Sequence, residues 1–381
     1  MKNKISLFFG SFFILFLIFF PLDFLGGIQL KITKFIFGNL TEFLVKYWFP
    51  DLKVNVDFSS DSISMFILAG ILVFFSLIFC AFSKTGFSEK IIPVFKNILT
   101  VYLSVILFKY GIDKVFKAQF YLPEPNILYS KFGNLDKDIL FWATMGTSRF
   151  YSVSTGFIEV FAAVLLVFRK TEILGLLFSL GIFLNVFLIN LGFDISVKLF
   201  SFILLLLSFY LLENHWSRIF NFLILKQKEQ LYEEAKSKYQ PWLAAFRTLV
   251  LGLVFVKIIM PYLVSGNYND DTSQRPYLHG AYKIIDETSP INYIFFHRRN
   301  YLILMDKNDK MLDFHYEKTN SESVIILEDY YGTKTKAEVF YRKKDSILFL
   351  KFNNIQLKAK KRNWREMNAL KPNFHTYIEN L

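Results

Sequence analysis

Glu159 stands deep in the apolar run 157–168, Asn185 and Asn190 interrupt the run 173–191, and Asp194 and Lys198 open the run 195–212. A charged or strongly polar group is costly in hydrocarbon, so such residues face a protein interior or a wet cavity and mark a functional site by default. Two kinds of chemistry are open to them. A buried carboxyl, if protonated, donates a hydrogen bond or relays a proton, while amides and a lysine can hold the polar atoms of a ligand headgroup. Alternatively the same groups are helix glue, joined by interhelical hydrogen bonds, with Asp194 and Lys198 forming an interfacial clip.

Depth and spacing sharpen the set. The apolar run ending near Tyr110-Gly111 is followed by Lys114 and Gln119, and the run 142–168 carries Ser148, Arg149, Tyr151 and Ser154 in its first half. Glu159 lies roughly 17 residues into that run, about 25 Å at ~1.5 Å per residue. Ser148, Tyr151, Thr155 and Glu159 share one face of a helix, and Asp194 and Lys198 are spaced to pair at i, i+4. If the spans alternate in direction, Lys114, Gln119, Arg149, Tyr151, Asn185, Asn190, Asp194 and Lys198 share the outer half of one bundle, with Glu159 as its floor. The expectation is an outward-facing polar pocket, or helix glue in the same place.

The elements that must position these residues are membrane spans. The chain has 381 residues, 53% hydrophobic and only 20% charged, with a mean hydropathy of +0.34. Seven runs are long enough to cross a bilayer: 5–24, 63–83, 92–111, 142–168, 172–191, 195–213 and 243–265. The first, behind Lys2 and Lys4, lacks a small-x-small cleavage site and is read as an uncleaved anchor. Lys84 and Lys90, Arg169 and Lys170, and Arg218, Lys226, Lys228, Lys236 and Lys238 fall on the side of the N-terminus, which the positive-inside rule makes cytoplasmic. The segment 30–47 is amphipathic through Ile32, Phe35, Ile36, Leu40, Phe43 and Leu44, and suits a helix in the membrane interface or one buried against the bundle. The stretch 226–240 alternates in charge and reads as a solvated helix face.

Past residue 265 the composition changes. Residues 266–276 are polar and read as a linker. From 277 to 381 come short alternating runs at 281–285, 293–297, 301–305, 312–316, 323–327, 336–342, 346–352 and 355–360, separated by turn residues such as those of 306–310 and Asn353-Asn354. Close spacing implies an antiparallel meander that curls into a barrel or sandwich. The fold class expected is therefore an α-helical polytopic membrane bundle (1–265) followed by a small all-β antiparallel barrel-like extramembrane domain (277–381). Arg298, Arg299, Arg342, Lys343, Lys344 and 358–362 make that domain basic, suiting anionic headgroups or a charged sheet face that blocks edge aggregation. The five histidines, His375 among them, have no metal-ligand spacing, and Cys80 is the one cysteine, so neither a zinc site nor an internal disulfide is expected. The net charge of +12 comes without an Arg-rich helix or an aromatic RNA-binding motif, which argues against nucleic acid as a partner. Serine-hydrolase elbows, P-loops and HExxH helices are absent, as are the internal repeats of transporters.

The stretch 102–212 resembles the DoxX-like membrane proteins. The likeness is carried by Tyr110-Gly111-Ile-Asp-Lys114 with Gln119-Phe120, Gly146-Thr-Ser148-Arg-Phe-Tyr151, Gly156-Phe-Ile-Glu159, Phe168-Arg169-Lys-Thr171, Asn185-Val-Phe-Leu-Ile-Asn190 and Asp194-Ile-Ser-Val-Lys198. The outer Ser59-Ser60-Asp61-Ser62 and the tail Phe374-His375 with Glu379 look like longer members that append an outer β domain. More distantly the chain resembles the helical core of vitamin-K-dependent carboxylase-like proteins. The DoxX-like resemblance implies a redox-associated protein of a bacterial inner (cell) membrane, a quinone- or lipid-like ligand in the outer-half pocket, and membrane lipids and a redox or envelope protein as partners. Set against it is a non-catalytic scaffold or assembly factor whose β domain docks an envelope partner.

Overall fold

The computed structural model describes residues 2–21, 27–51, 55–226, 240–319, 321, 323–353 and 355–371. The end of the first expected span (22–24), the charged stretch 227–239, Asn354 and the tail with Phe374, His375 and Glu379 lie outside the described residues.

Helices come first: α1 (Lys2–Phe19), α2 (Ile28–Trp48), α3 (Ile63–Phe82), α4 (Thr85–Val115), α5 (Pro125–Tyr129), α6 (Lys137–Thr147), α7 (Arg149–Val167), α8 (Glu172–Gly192), α9 (Lys198–Leu212), α10 (Trp216–Leu223) and α11 (Gln240–Ser265). Long apolar runs must satisfy their backbone internally, which in lipid leaves the helix as the answer. Among the described residues, five helices (α3, α4, α7, α8 and α11) are long and apolar enough to cross a membrane. A sixth is reached only if α9 and α10, bent by 75° at their break, count as one span. α1 is shorter, at 18 residues.

Two expected boundaries move. The run 142–168 is two helices, because the chain breaks at Ser148, whose backbone is extended (φ −104°, ψ 102°). Its Oγ accepts from the Tyr151 amide at 3.2 Å and so caps the start of α7. Likewise Asp194 is not helical. It adopts a left-handed φ of 53°, and α9 begins only at Lys198.

The chain divides into two compact units, Met1–Phe116 with Val153–Tyr268 and Lys117–Ser152 with Asn269–Leu381. The expected split into 1–265 and 277–381 therefore gives way to an interleaved one. Residues 117–152 cluster with the β strands, and so does most of the supposed linker.

In the first unit α1 packs on α3 and α4, and α8 on α9. Leu99, Leu103 and Ile106 of α4 and Leu204 and Leu207 of α9 are buried in its core, and Phe20 stacks on Phe200 at 4.6 Å. α2 buries Thr33, Phe37, Thr41 and Val45 along one seam and leaves Ile32, Phe35, Ile36, Leu40 and Phe43 exposed. Much of the apolar stripe read from the sequence thus faces outward from the unit.

The second unit contains a closed antiparallel barrel in simple chain order, β1 (Gly280–Ile284), β2 (Ile291–Phe296), β3 (Tyr301–Asp306), β4 (Met311–Lys318), β5 (Val324–Glu328), β6 (Lys334–Arg342), β7 (Ile347–Phe352) and β8 (Ile355–Arg362). Ala281 opposite Arg362 and Ile284 opposite Ala359 close it. The expected runs all form strands. Tyr282, Ile294, Phe296, Leu304, Tyr316, Leu327 and Leu350 fill the interior, so the barrel is a packed core. β6 alternates polar and apolar, as a strand with one wet face does, whereas β2 and β3 are nearly continuous apolar runs. The reason is a second apolar layer. Phe295, Ile303 and Met305 point out of the barrel and are covered by Leu122, Leu128, Tyr129 and Trp364.

That layer yields a contrast between two outward-facing phenylalanines. Phe295→Ala should cost ~3–5 kcal/mol in barrel unfolding followed by tryptophan fluorescence. Phe340→Ala, which removes a ring already 58% exposed, should cost less than ~1 kcal/mol. Equal losses would contradict the two-layer account.

Candidate functional site

The central geometry of the helical unit begins with two glycines. A Cβ on Gly111 of α4 would lie 2.8 Å from the Gly156 carbonyl oxygen, and a Cβ on Gly156 of α7 would lie 2.6 Å from that of Gly111. Only glycine lets the two backbones approach this closely. Three residues on from each glycine stand Lys114 and Glu159. Lys114 Nζ donates to both carboxylate oxygens of Glu159, at 2.9 and 2.7 Å, and both residues are 6% exposed. Ser104 Oγ donates to the Ala163 carbonyl at 2.8 Å and adds a further interhelical bond. Burying one charge alone is expensive, but a well-formed pair offsets much of that cost. Glu159 is thus the partner of a buried lysine.

The remaining candidates separate. Asn190 Nδ2 donates to Ser201 Oγ at 2.9 Å, which joins α8 to α9. Lys198 pairs with Asp194 at 2.8 Å, as the spacing suggested, though through a turn and not along a helix. It also meets Asp61, whose two carboxylate oxygens accept from the amides of Lys198 and Leu199 at 2.9 and 3.0 Å. Asp61 therefore caps α9, where a carboxylate complements the helix dipole. Asn185 is exposed on α8. Gln119, Arg149 and Tyr151 belong to the other unit. Arg149 and Tyr151 are exposed there, and Gln119 Oε1 is buried with no hydrogen-bond partner among the described residues. An apolar groove of about 710 Å³ lies between α2 and α3, lined by residues such as Leu44, Trp48, Ile67 and Phe74, and none of the candidates lines it.

Sequence reasoning missed a second layer of paired charge, buried at Arg247 and half-buried at its other charged members. Arg247 of α11 donates to Asn97 Oδ1 at 3.1 Å and Glu172 Oε2 at 3.3 Å. Glu213 accepts from Lys96 and from Ser6 Oγ, both at 3.0 Å. Glu172 and Glu213 border apolar runs, which made them look like span ends in water.

It also missed the densest polar cluster of the second unit, around Glu124 in the sequence Pro123-Glu124-Pro125. Glu124 is 3% exposed. Its carboxylate takes hydrogen bonds from His279 Nε2 at 2.8 Å and the Arg298 amide at 3.2 Å, and an ion pair from the Arg298 guanidinium. Arg298 also pairs with Asp270 and lies over the Tyr121 ring at 4.5 Å. Lys117 is fully buried, donates to the Gly146 carbonyl at 2.5 Å and reaches Asp271 at 3.5 Å. The supposed linker thus supplies two carboxylates to the interior of this unit. Burial would push the Glu124 carboxyl up, but the His279 hydrogen bond and the Arg298, His297 and His279 charges outweigh it and hold it at about 2. Burial is also the main influence on His297, and it holds the imidazole below its ordinary range. Among the described residues no group of three or more His, Cys, Asp and Glu is arranged to hold a metal. The cluster works as a clamp that fastens 117–152 to the barrel.

Fold and polar pairs together define a class, a protein of membrane-length apolar helices joined to a filled antiparallel β-barrel. Over 112 residues the chain is 35% identical to the uncharacterized protein YwoB of Bacillus subtilis, an alignment covering 29% of this chain and 71% of YwoB. The chain belongs to the family of YwoB. No protein-family model matches it, and no solved structure does.

Two outcomes are expected from this geometry. Gly156→Ala should lower the stability of the helical unit in detergent by ~1–3 kcal/mol through overpacking. Gly181→Ala, whose Cβ meets nothing within 4 Å, should be neutral or gain up to ~1 kcal/mol from helix propensity. A tolerant Gly156 would remove the close crossing. Separately, Glu124 is depressed from 4.5 to about 2 on folding, so its stabilisation is full above pH ~4.5 and is lost as pH falls toward ~2. Barrel melting temperature measured from pH 6 to pH 2 should drop less steeply in Glu124→Gln than in wild type, from a lower starting value. Parallel curves would rule the clamp out.

Proposed function

We propose that this protein is a non-catalytic multi-pass membrane scaffold that holds a β-barrel module at the surface of a bacterial cell membrane for a partner protein to dock. The observation that carries this is the bidentate Lys114–Glu159 pair. The charges inside the apolar helices are engaged with each other and fasten helices together. Seven crossings (α1, α3, α4, α7, α8, α9 with α10, and α11) put the N-terminus in the cytoplasm and the barrel outside. Lys84, Lys90, Arg169 and Lys170 support that orientation by lying on the N-terminal side. Docking is supported by the turn between β5 and β6, where Tyr330 and Tyr331 are 96% and 90% exposed. Exposed aromatic rings are favoured anchors at protein interfaces.

A redox-associated role of the DoxX-like kind is the second reading, with a quinone- or lipid-like ligand displacing one limb of the Lys114–Glu159 pair. Its supporting observation is the burial of that pair among apolar helices.

A photo-crosslinking residue at position 331 in the full-length protein should capture one protein of discrete mass in cells, and one at Phe74 of α3 should capture lipid. Lipid alone from position 331 would defeat the docking role. A stoichiometric quinone extracted from the purified protein, lost in Glu159→Gln, would reverse the order of the two readings.

A further inference from the structure

A cleft of about 520 Å³ opens beside β1 and β8, with Lys283, Lys307, Lys360, Arg362, Asp286 and Glu287 among its lining residues. The barrel register builds it. Tyr282, Ile284, Leu357 and Ala359 point into the barrel core, so Lys283, Lys360 and Arg362 point outward from the same pair of strands. Lys283 stands directly opposite Lys360, and Arg362 follows two positions along β8, opposite the small side chain of Ala281. Like charges directly opposite one another in an antiparallel pair are destabilising. Here the pairing carries a third cation on the diagonal, and among the described residues none of the three forms an ion pair with a carboxylate. Lys307 joins them from the turn after β3.

The two acids at the cleft offset only part of this charge, Asp286 acting on Lys307. Asp286 Oδ1 is engaged in its own turn, accepting from the Thr288 amide at 2.9 Å and from Thr288 Oγ1 at 2.7 Å. Glu287 meets Lys307 through its backbone carbonyl. Four cations thus face two carboxylates across a concave surface held by closed-barrel strands. Converging ammonium groups with one guanidinium fork match an oxyanion that bears several acceptor oxygens and more than one negative charge.

We propose that this cleft binds a phosphate group, carried either by an anionic lipid headgroup or by a soluble phosphorylated molecule. The inference is independent of the scaffold role, since it concerns a different face of the barrel from Tyr330 and Tyr331.

The test uses the full-length protein in phosphatidylcholine nanodiscs, titrated with inorganic pyrophosphate in a calorimeter, and the same protein in detergent examined by native mass spectrometry for bound phosphatidylglycerol. Saturable pyrophosphate binding that weakens at least tenfold in Lys360→Gln/Arg362→Gln identifies a soluble phosphate. Phosphatidylglycerol enriched over phosphatidylcholine in wild type and not in the variant identifies a headgroup. Either supports the site. If wild type shows neither, or the variant matches wild type in both, the proposal is overturned. Removing Lys360 also relieves the repulsion opposite Lys283, so without phosphate the variant barrel should melt at or above the wild-type temperature; a lower melting temperature counts against the cleft as a strained, ligand-ready site.

Discussion

The helical unit turns on one constraint. A lysine and a glutamate buried among apolar helices must meet, and they meet because two glycines let α4 and α7 touch. Side chains on a helix lean toward its N-terminus, so Lys114 reaches back along α4 to Glu159. A Cβ at either glycine would press on the facing backbone carbonyl and strain the ion pair beside it. The crossing and the ion pair are therefore one device.

The second unit solves a different problem with the same means. Its barrel has a filled core, and β1 to β3 carry a further apolar layer on their outer face. That layer needs a cover, and residues 117–152 help supply it. Glu124 fixes the cover in place by drawing on His279 and Arg298, one just before β1 and the other just after β2. Arg298, read from the sequence as part of a basic surface, is an internal ligand of this clamp.

Much of the architecture was legible in the chain. Apolar runs without charge announce helices, and alternation with turn residues announced the barrel strands to within a few residues. What escaped was decided by contacts distant in sequence. The run 142–168 looks like one helix because Trp142 and Met145 are as apolar as the residues beyond Ser154. It breaks where Gly146 packs against the backbone of Tyr121, a Cβ there falling 2.2 Å from that carbonyl oxygen. Asp61 reads as a loop acid until α9 is seen to start above it. For β2 and β3 the signal was present, since an apolar run without alternation implies cover on both faces. Of the candidate residues, Lys114 and Glu159 meet each other, Asn190 bonds Ser201, Lys198 pairs with Asp194, and Asn185 is exposed.

The central claim is that the buried charges of the helical unit exist for each other. It is tested most directly by thermal unfolding of the full-length protein in detergent, comparing Glu159→Gln with the double variant Lys114→Met/Glu159→Leu. The single variant takes from the buried Lys114 the carboxylate its Nζ contacts and should lose ~3–5 kcal/mol, while the apolar double should recover most or all of it. A single variant as stable as wild type, or a double variant no better than the single, would contradict the account.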